Sequence, residues 1–320
     1  MGYNVLVTAV GGDIGQSIAR ILRIFKQVTS IVGTDISDNN AGPYFVDKFV
    51  LVPAATDKEY INTLKKIVKE NDISCVIPVN ETEIQTLNEY LTHHKTFTVP
   101  VIIANPEAIG VCFDKYETMR FLKVNHIQTP WTQPISQEPP QYPCILKNRQ
   151  GAGSRGLEII QDRKEWQYFR DKRSDAILQE LLLPADSEHT CGVYRSSDET
   201  TKCLIMQRTL KNDVTGVAEV VTDRSIEDLC YTVADLLKVR GSINIQLRKT
   251  KEGAKIFEIN PRFSSTVLFR HYVGFCDLVW SIEDALGIRL LKSQPPIKYG
   301  TKIYRYYREV FKYEGKFFEY

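Results

Sequence analysis

The strongest constraint on the fold of this 320-residue chain is a change of hydrophobic patterning near Cys144. Before it, strand-length apolar runs alternate with helix-length amphipathic runs. After it, short strands dominate and helices are few. The alternating order implies a parallel sheet covered on both faces by crossover helices. A chain of this length has room for two or three packed units with real cores.

In the first part, strands are expected at 3–9, 30–34, 48–52, 73–78 and 99–103, and helices at 16–25, 57–71 and 81–91. Tyr60, Leu64, Ile67 and Val68 recur at helical spacing in the second helix. Asn105-Pro106 reads as a break, and a helix at 114–125 ends before Thr129-Pro130. The stretch 134–143 contains four prolines and reads as a connection. Beyond it, strands are expected at 144–148, 157–161, 176–180, 188–195, 202–209 and 216–222, with a helix near 164–170. A strong helix follows at 226–239, with Ser225 and Asp228 placed as a capping pair. Then come a hairpin at 242–259 and a helix at 278–286. The tail from Tyr304 to Tyr320 is rich in Tyr, Phe and Lys and suggests no role.

Hydrophobic residues make up 43% and charged residues 25%, as in ordinary globular proteins. A formal charge of +2 gives no argument for nucleic acid or membrane partners, and no long Lys/Arg run is present. Met1-Gly2-Tyr3-Asn4 leads directly into a strand without the pattern of a secretory leader. No apolar run approaches the roughly 20 residues that span a bilayer. The seven cysteines are widely spaced without a Cys-x-x-Cys pair, which suits buried thiols in a reducing compartment. A cytoplasmic protein is therefore expected. Cys191 and Cys276 are candidates for reactivity, but nothing near them argues for an activated thiolate.

The chemistry concentrates in Phe257-Glu258-Ile259-Asn260-Pro261-Arg262. The turn Lys251-Glu252-Gly253 separates this run from Ser242–Leu247, and a hairpin would set Gln246 beside Glu258 and Asn260 on one face. These side chains offer oxygen ligands, which suits Mg²⁺ held together with phosphates. Arg262 adds a positive fork. A solvated strand edge is the alternative.

Two glycine-rich loops need separating. Gly11-Gly12-Asp13-Ile14-Gly15 sits where a dinucleotide fingerprint would sit, and Asp35 ends the second strand, where a ribose-binding acid would lie. Its spacing lacks the first Gly of that fingerprint, so NAD is disfavoured. A tight turn before an open helix N-terminus, able to hold a substrate carboxylate, fits better. The second loop, Gln150–Gly156, joins two strands and ends without Gly-Lys-Ser/Thr, so it is no Walker loop. Small residues there allow backbone N–H groups to close over phosphates, with Lys147 on the preceding strand. A flexible turn is the alternative.

The order of these pieces (Lys147, glycine-rich hairpin, Gln179-Glu180, Glu188, Gln246, Glu258, Asn260) resembles the ATP-grasp superfamily, most nearly its carbamoyl-phosphate-synthase-like carboxylate–amine ligases. The resemblance covers nearly the whole chain. It implies an α/β and α+β fold: an N-terminal Rossmann-like parallel sheet at 1–113, a small lid domain at 114–182 and a large metal-binding domain at 183–320. It also implies roles. Lys115 and Lys147 would contact ATP phosphates, and Gly151, Gly153 and Ser154 would form the closing phosphate loop. Glu180 and Leu182 would hold the adenine edge, and Glu188 the ribose. Gln246, Glu258 and Asn260 would coordinate Mg²⁺ or Mn²⁺, with Arg262 facing the transferred phosphate and Arg208 near the acyl phosphate. Pro184 lies between Glu180 and Glu188 and affects that spacing.

The implied activity is an ATP-dependent ligase that joins a small-molecule carboxylate to an amine or ammonia through an acyl phosphate. Nucleic acid and membrane partners are not expected; homodimer formation suits the family. A non-catalytic nucleotide-binding regulatory module and an NAD-dependent enzyme are the competing readings. Gly12-Asp13, Asn80–Glu83 and Ser264–Thr266 are candidates for touching the substrate, with helix capping as the alternative for Asn80–Glu83. The five histidines are scattered; His271 could lie near the acceptor, although a structural role fits it better.

Overall fold

The computed structural model describes residues 2–94, 97–151, 156–211 and 214–318. The N-terminal unit runs β1 (Tyr3–Val7), α1 (Asp13–Leu22), β2 (Val28–Asp35), β3 (Lys48–Leu51), α2 (Tyr60–Glu70), β4 (Ile73–Ile77) and α3 (Glu81–His94). Its four strands form a parallel sheet in the order β3-β2-β1-β4, as the alternating pattern requires. The strand expected at 99–103 is reduced to a single parallel bridge of Val101 to Val76. α1 approaches the end of β1 closely, and a Cβ on Gly15 would stand 2.7 Å from both the Ala9 carbonyl oxygen and Val10 Cα. That is the packing reason for a glycine there.

The expected break at Asn105-Pro106 is instead a helix start: α4 (Pro106–Cys112) carries Pro106 in its first turn, where the missing N–H costs nothing. α5 (Lys115–Val124) follows, capped by the Asp114 carboxylate, which accepts from the amides of Tyr116 and Glu117. Both helices bury their apolar faces (Ile109, Met119, Leu122) in one cluster with Ile243, Ile245 and Ile256 of the large sheet described below.

β5 (Thr132–Pro134), β6 (Cys144–Asn148), β7 (Glu158–Ile160), α6 (Arg163–Arg170) and β8 (Ala176–Glu180) form a small antiparallel unit, ordered β5-β8-β6-β7. It has its own core around Leu146, Trp166 and Leu178. α5 thus packs on the large unit, although it was expected to open the lid.

The large unit comprises β9 (Glu188–Arg195), β10 (Thr201–Lys211), β11 (Val214–Val221), α7 (Arg224–Leu236), β12 (Gly241–Thr250), β13 (Gly253–Asn260), α8 (Val267–Tyr272), α9 (Asp277–Leu286) and β14 (Lys302–Tyr304). Its antiparallel sheet is ordered β13-β12-β9-β10-β11-β14. α7 begins earlier than expected: its cap is Asp223, which accepts from the amides of Ser225 and Ile226, and not the Ser225/Asp228 pair. A short hairpin, β15 (Phe311–Tyr313) and β16 (Lys316–Phe318), ends the described chain.

The N-terminal and large units share one hydrophobic core, in which Val5, Val7 and Ile77 meet Phe275, Val279 and Trp280. Beneath it, Arg270 and Asp277 are 2.8 Å apart and almost wholly buried. Among the described residues, no helix is long and apolar enough to cross a membrane.

Candidate active site

Register builds the site. In the β12–β13 hairpin, Asn244 faces Asn260 and Gln246 faces Glu258. Because side chains alternate along strands, all four stand on one face. The hairpin therefore brings Gln246, Glu258 and Asn260 together in space. They form the floor of a cavity of about 950 Å³ between the three units.

One wall is basic. Lys147, on β6, is buried, and its Nζ donates to Gln179 Oε1 at 2.8 Å and to the Phe257 carbonyl at 3.1 Å. Burial pulls its pKa down to about 8, partly countered by the Glu258 carboxylate. Arg208, on β10, donates to Gln246 Oε1 at 2.9 Å and to Glu188 Oε1 at 2.9 Å. Glu188 is held on its other oxygen by Arg248, 2.5 Å away. The residue expected at a ribose thus sits between two guanidiniums: Oε1 takes both Nε and Nη2 of Arg208, and Oε2 alone retains a further lone pair. Arg248 also donates to the Leu182 carbonyl at 2.7 Å. Sequence reading passed over Arg248, yet the alternation Asn244, Gln246, Arg248 along β12 was the signal for it.

Glu180 pairs with Lys255 at 3.0 Å and accepts the Trp131 amide at 3.3 Å, joining the small unit to β13. Lys255 was also missed; it lies outside the expected motif. Ile145, Leu157, Leu182 and Phe257 line this end and make an apolar slot. Gly151 lines the cavity, whereas Lys115 does not: its Nζ donates to the Gly151 carbonyl. Gly153 and Ser154 lie outside the described residues.

The opposite wall comes from the N-terminal sheet. The loops after β1, β2 and β4 contribute Gly12, Asp13, Asp35 and Asn80–Glu83, at the carboxyl edge where open α/β sheets bind ligands. Ser264 and Ser265 join them. Asn80 also accepts the Thr82 amide at 2.9 Å, so helix capping and cavity lining coexist. Glu83 is buried, accepts the Thr8 hydroxyl at 2.5 Å, and has its pKa raised by desolvation. Arg262 spans the two walls, with Nη2 3.0 Å from Glu81 Oε1 and a buried Nε that has no hydrogen-bond partner among the described residues.

Three readings that the sequence disfavours gain no support here. Asp35 accepts the amides of Gly11 at 2.9 Å and Ser37 at 3.2 Å, so its carboxylate braces the loop after β1. His271 is not in the cavity; it packs edge-on to Phe25 and Tyr272. Cys191 and Cys276 are buried, with burial pushing the Cys276 thiol up to about 12, so neither is a nucleophile.

The donor set can be tested against magnesium. Glu258, Asn260 and Gln246 present the hard oxygen atoms that Mg²⁺ takes. Among the described residues, no group of three or more His, Cys, Asp or Glu could hold a metal ion. The residues therefore fit a magnesium nucleotide, whose phosphate oxygens complete the shell, better than a free ion.

A small antiparallel unit facing a larger one, with a cavity between them floored by Gln, Glu and Asn, defines a nucleotide-grasping architecture. Residues 112–266 match the ATP-grasp domain family and residues 5–102 the PylC-like N-terminal domain family. The chain carries an ATP-grasp domain behind a PylC-like N-terminal domain. It is 23% identical over 246 residues to 3-methyl-D-ornithine--L-lysine ligase of Methanosarcina mazei, covering 73% of this chain and 62% of that protein. It is 24% identical over 180 residues to the carbamoyl phosphate synthase large chain of Clostridium perfringens, covering 51% of this chain and 16% of that one. The chain thus spans less than two thirds of the length of either relative. The structure of N5-carboxyaminoimidazole synthetase from Staphylococcus aureus complexed with ADP superposes with a TM-score of 0.72 at 16% identity, over 92% of this chain and 80% of that one. That likeness bears out the expected fold.

Proposed function

We propose that this protein is an ATP-dependent ligase that joins a small-molecule carboxylate to an amine, or to ammonia, through an acyl phosphate. The observation that carries this reading is one cavity in which Lys147, Gln246, Glu258, Asn260 and Arg262 converge between an apolar slot and a polar wall from the N-terminal sheet. The similarity to a ligase that names two amino-acid substrates supports the same class.

In the proposed roles, the nucleobase enters the slot of Ile145, Leu157, Leu182 and Phe257. Glu188 meets the ribose, and Lys147 and the Gly151 loop hold phosphates. Bound magnesium would lie on Glu258, Asn260 and Gln246, and would supply charge neutralisation for the phosphates. Lys147 and Arg262 contribute fixed positive charge to the site. An oxygen of the substrate carboxylate attacks the γ-phosphorus, and the bond to the bridging oxygen breaks toward ADP. The amine nitrogen then attacks the acyl carbon. The carbon–oxygen bond to phosphate breaks, phosphate leaves, and the nitrogen releases its proton. No covalent enzyme nucleophile is required. The small antiparallel unit acts as the proposed lid, without α5, which packs on the large domain; the N-terminal unit acts as the substrate-side domain. Seven free cysteines, six of them buried, suit a reducing cytoplasmic setting.

The test is nucleotide release from magnesium ATP over pooled carboxylates crossed with pooled amines, wild type beside Glu258→Ala. ADP release that needs one pair and drops at least ~100-fold in the variant is expected. AMP release would mean adenylate chemistry and refute the acyl phosphate. Tight ATP binding without release on any pair would favour the regulatory module.

A further inference from the structure

We propose that Arg305, on the tail beyond β14, is a positioning residue that fixes the acceptor end of the cavity. The proposal rests on the ligase reading above. Arg305 lies outside the ATP-grasp match, which ends at residue 266.

The backbone places it first. β14 pairs with β11 with Tyr304 opposite Val217, and the Arg305 amide donates to the Gly216 carbonyl at 2.8 Å. Arg305 is therefore held at the sheet edge before its side chain makes any contact. The side chain then turns inward and is 13% exposed. Its Nε donates to the Thr215 carbonyl at 3.0 Å, its Nη2 to the Ser265 carbonyl at 2.5 Å, and its Nη1 to Asp13 Oδ2 at 3.2 Å. The guanidinium carbon also stands 4.9 Å from the Phe269 ring centroid. Three bonds in three directions from one planar group need a guanidinium; a lysine ammonium lacks that fork.

The anchors belong to three separate elements: β11, the segment between β13 and α8, and the first residue of α1. Asp13 and Ser265 line the cavity, as do Gly12 and Ser264 beside them. Arg262 lies three residues before Ser265 and reaches Glu81 in the same wall. Arg305 thus ties the loop after β1 to the segment that carries Arg262. None of its contacts reaches Lys147, Glu180 or Leu182 at the nucleotide end. The Asp13 pair is partly exposed and by itself worth little, so the two carbonyl bonds carry most of the restraint.

The experiment is steady-state ADP release with the active substrate pair, for wild type, Arg305→Ala, Arg305→Lys and Asp13→Asn, with thermal unfolding beside it. Loss of two charge-assisted bonds should raise the acceptor KM by about tenfold or more in Arg305→Ala. The ATP KM should stay within about twofold in the same variant. Arg305→Lys should remain impaired, and Asp13→Asn should show a smaller shift. An unchanged acceptor KM, or equal rises in both KM values, overturns the proposal. If the wild type releases no ADP with any pair, the ligase reading is what fails. Amide exchange at residues 12–16 then decides the tie itself: faster exchange in Arg305→Ala supports it, and unchanged exchange refutes it.

Discussion

Lys147 offers a test in which stability and function separate. It is buried, and desolvation holds its folded pKa near 8, against 10.5 ordinarily. That gap corresponds to about 3 kcal/mol of cost for carrying the charge at neutral pH. Lys147→Met removes the charge and keeps the apolar stem. It also removes the bonds to Gln179 and the Phe257 carbonyl, each worth roughly 1.5–3 kcal/mol when charged. Near pH 7 the effects partly offset, and net stability should fall by no more than about 3 kcal/mol.

The pH dependence isolates the charge. The folded pKa lies below the unfolded one, so between about 8 and 10.5 the unfolded chain binds more protons. Wild-type stability must therefore rise with pH in that window relative to the variant. From about pH 7 to about pH 9.5, linkage gives a relative gain of about 2 kcal/mol for the wild type. Urea unfolding of both proteins at the two pH values measures it. Parallel stabilities across that range would refute a buried ammonium. Magnesium ATP binding, measured by calorimetry, should weaken at least ~10-fold in Lys147→Met if the charge serves phosphate.

Two further substitutions test the frame of the site. Gly15→Ala forces a Cβ against the Ala9 carbonyl and Val10 Cα, both rigid backbone, and should cost roughly 1–3 kcal/mol by denaturant midpoint. A midpoint equal to wild type would show that the close approach of α1 to β1 is not real. Asp277→Ala leaves the Arg270 guanidinium buried without its carboxylate and should cost roughly 3–5 kcal/mol. A loss under about 1 kcal/mol would mean that Arg270 finds water or another partner.

Legibility differed by feature, for physical reasons. The parallel sheet could be read because burial on both faces leaves continuous apolar strands with amphipathic helices between them. The Gln246, Glu258, Asn260 set could be read because a hairpin with a short turn makes register a local property. Helix α4 was missed because Pro106 signals a stop and a start equally well. The Asp223 cap was missed because Ser225 lies only two residues further on and offers the same chemistry.

Other features depend on segments far apart in sequence. Glu188 between Arg208 and Arg248 requires β9 to stand between β10 and β12, an order no local pattern specifies. Arg262 on Glu81 and Arg305 on Asp13 each join segments more than 180 residues apart. The sequence by itself determined most strand and helix types and the oxygen-donor hairpin, because these follow from neighbours along the chain. Only the tertiary structure decided which carboxylates are already paired, that Lys147 is buried, and that Lys115 turns to the Gly151 carbonyl and does not itself line the cavity. Those outcomes depend on desolvation and on partners that folding alone brings within hydrogen-bonding distance.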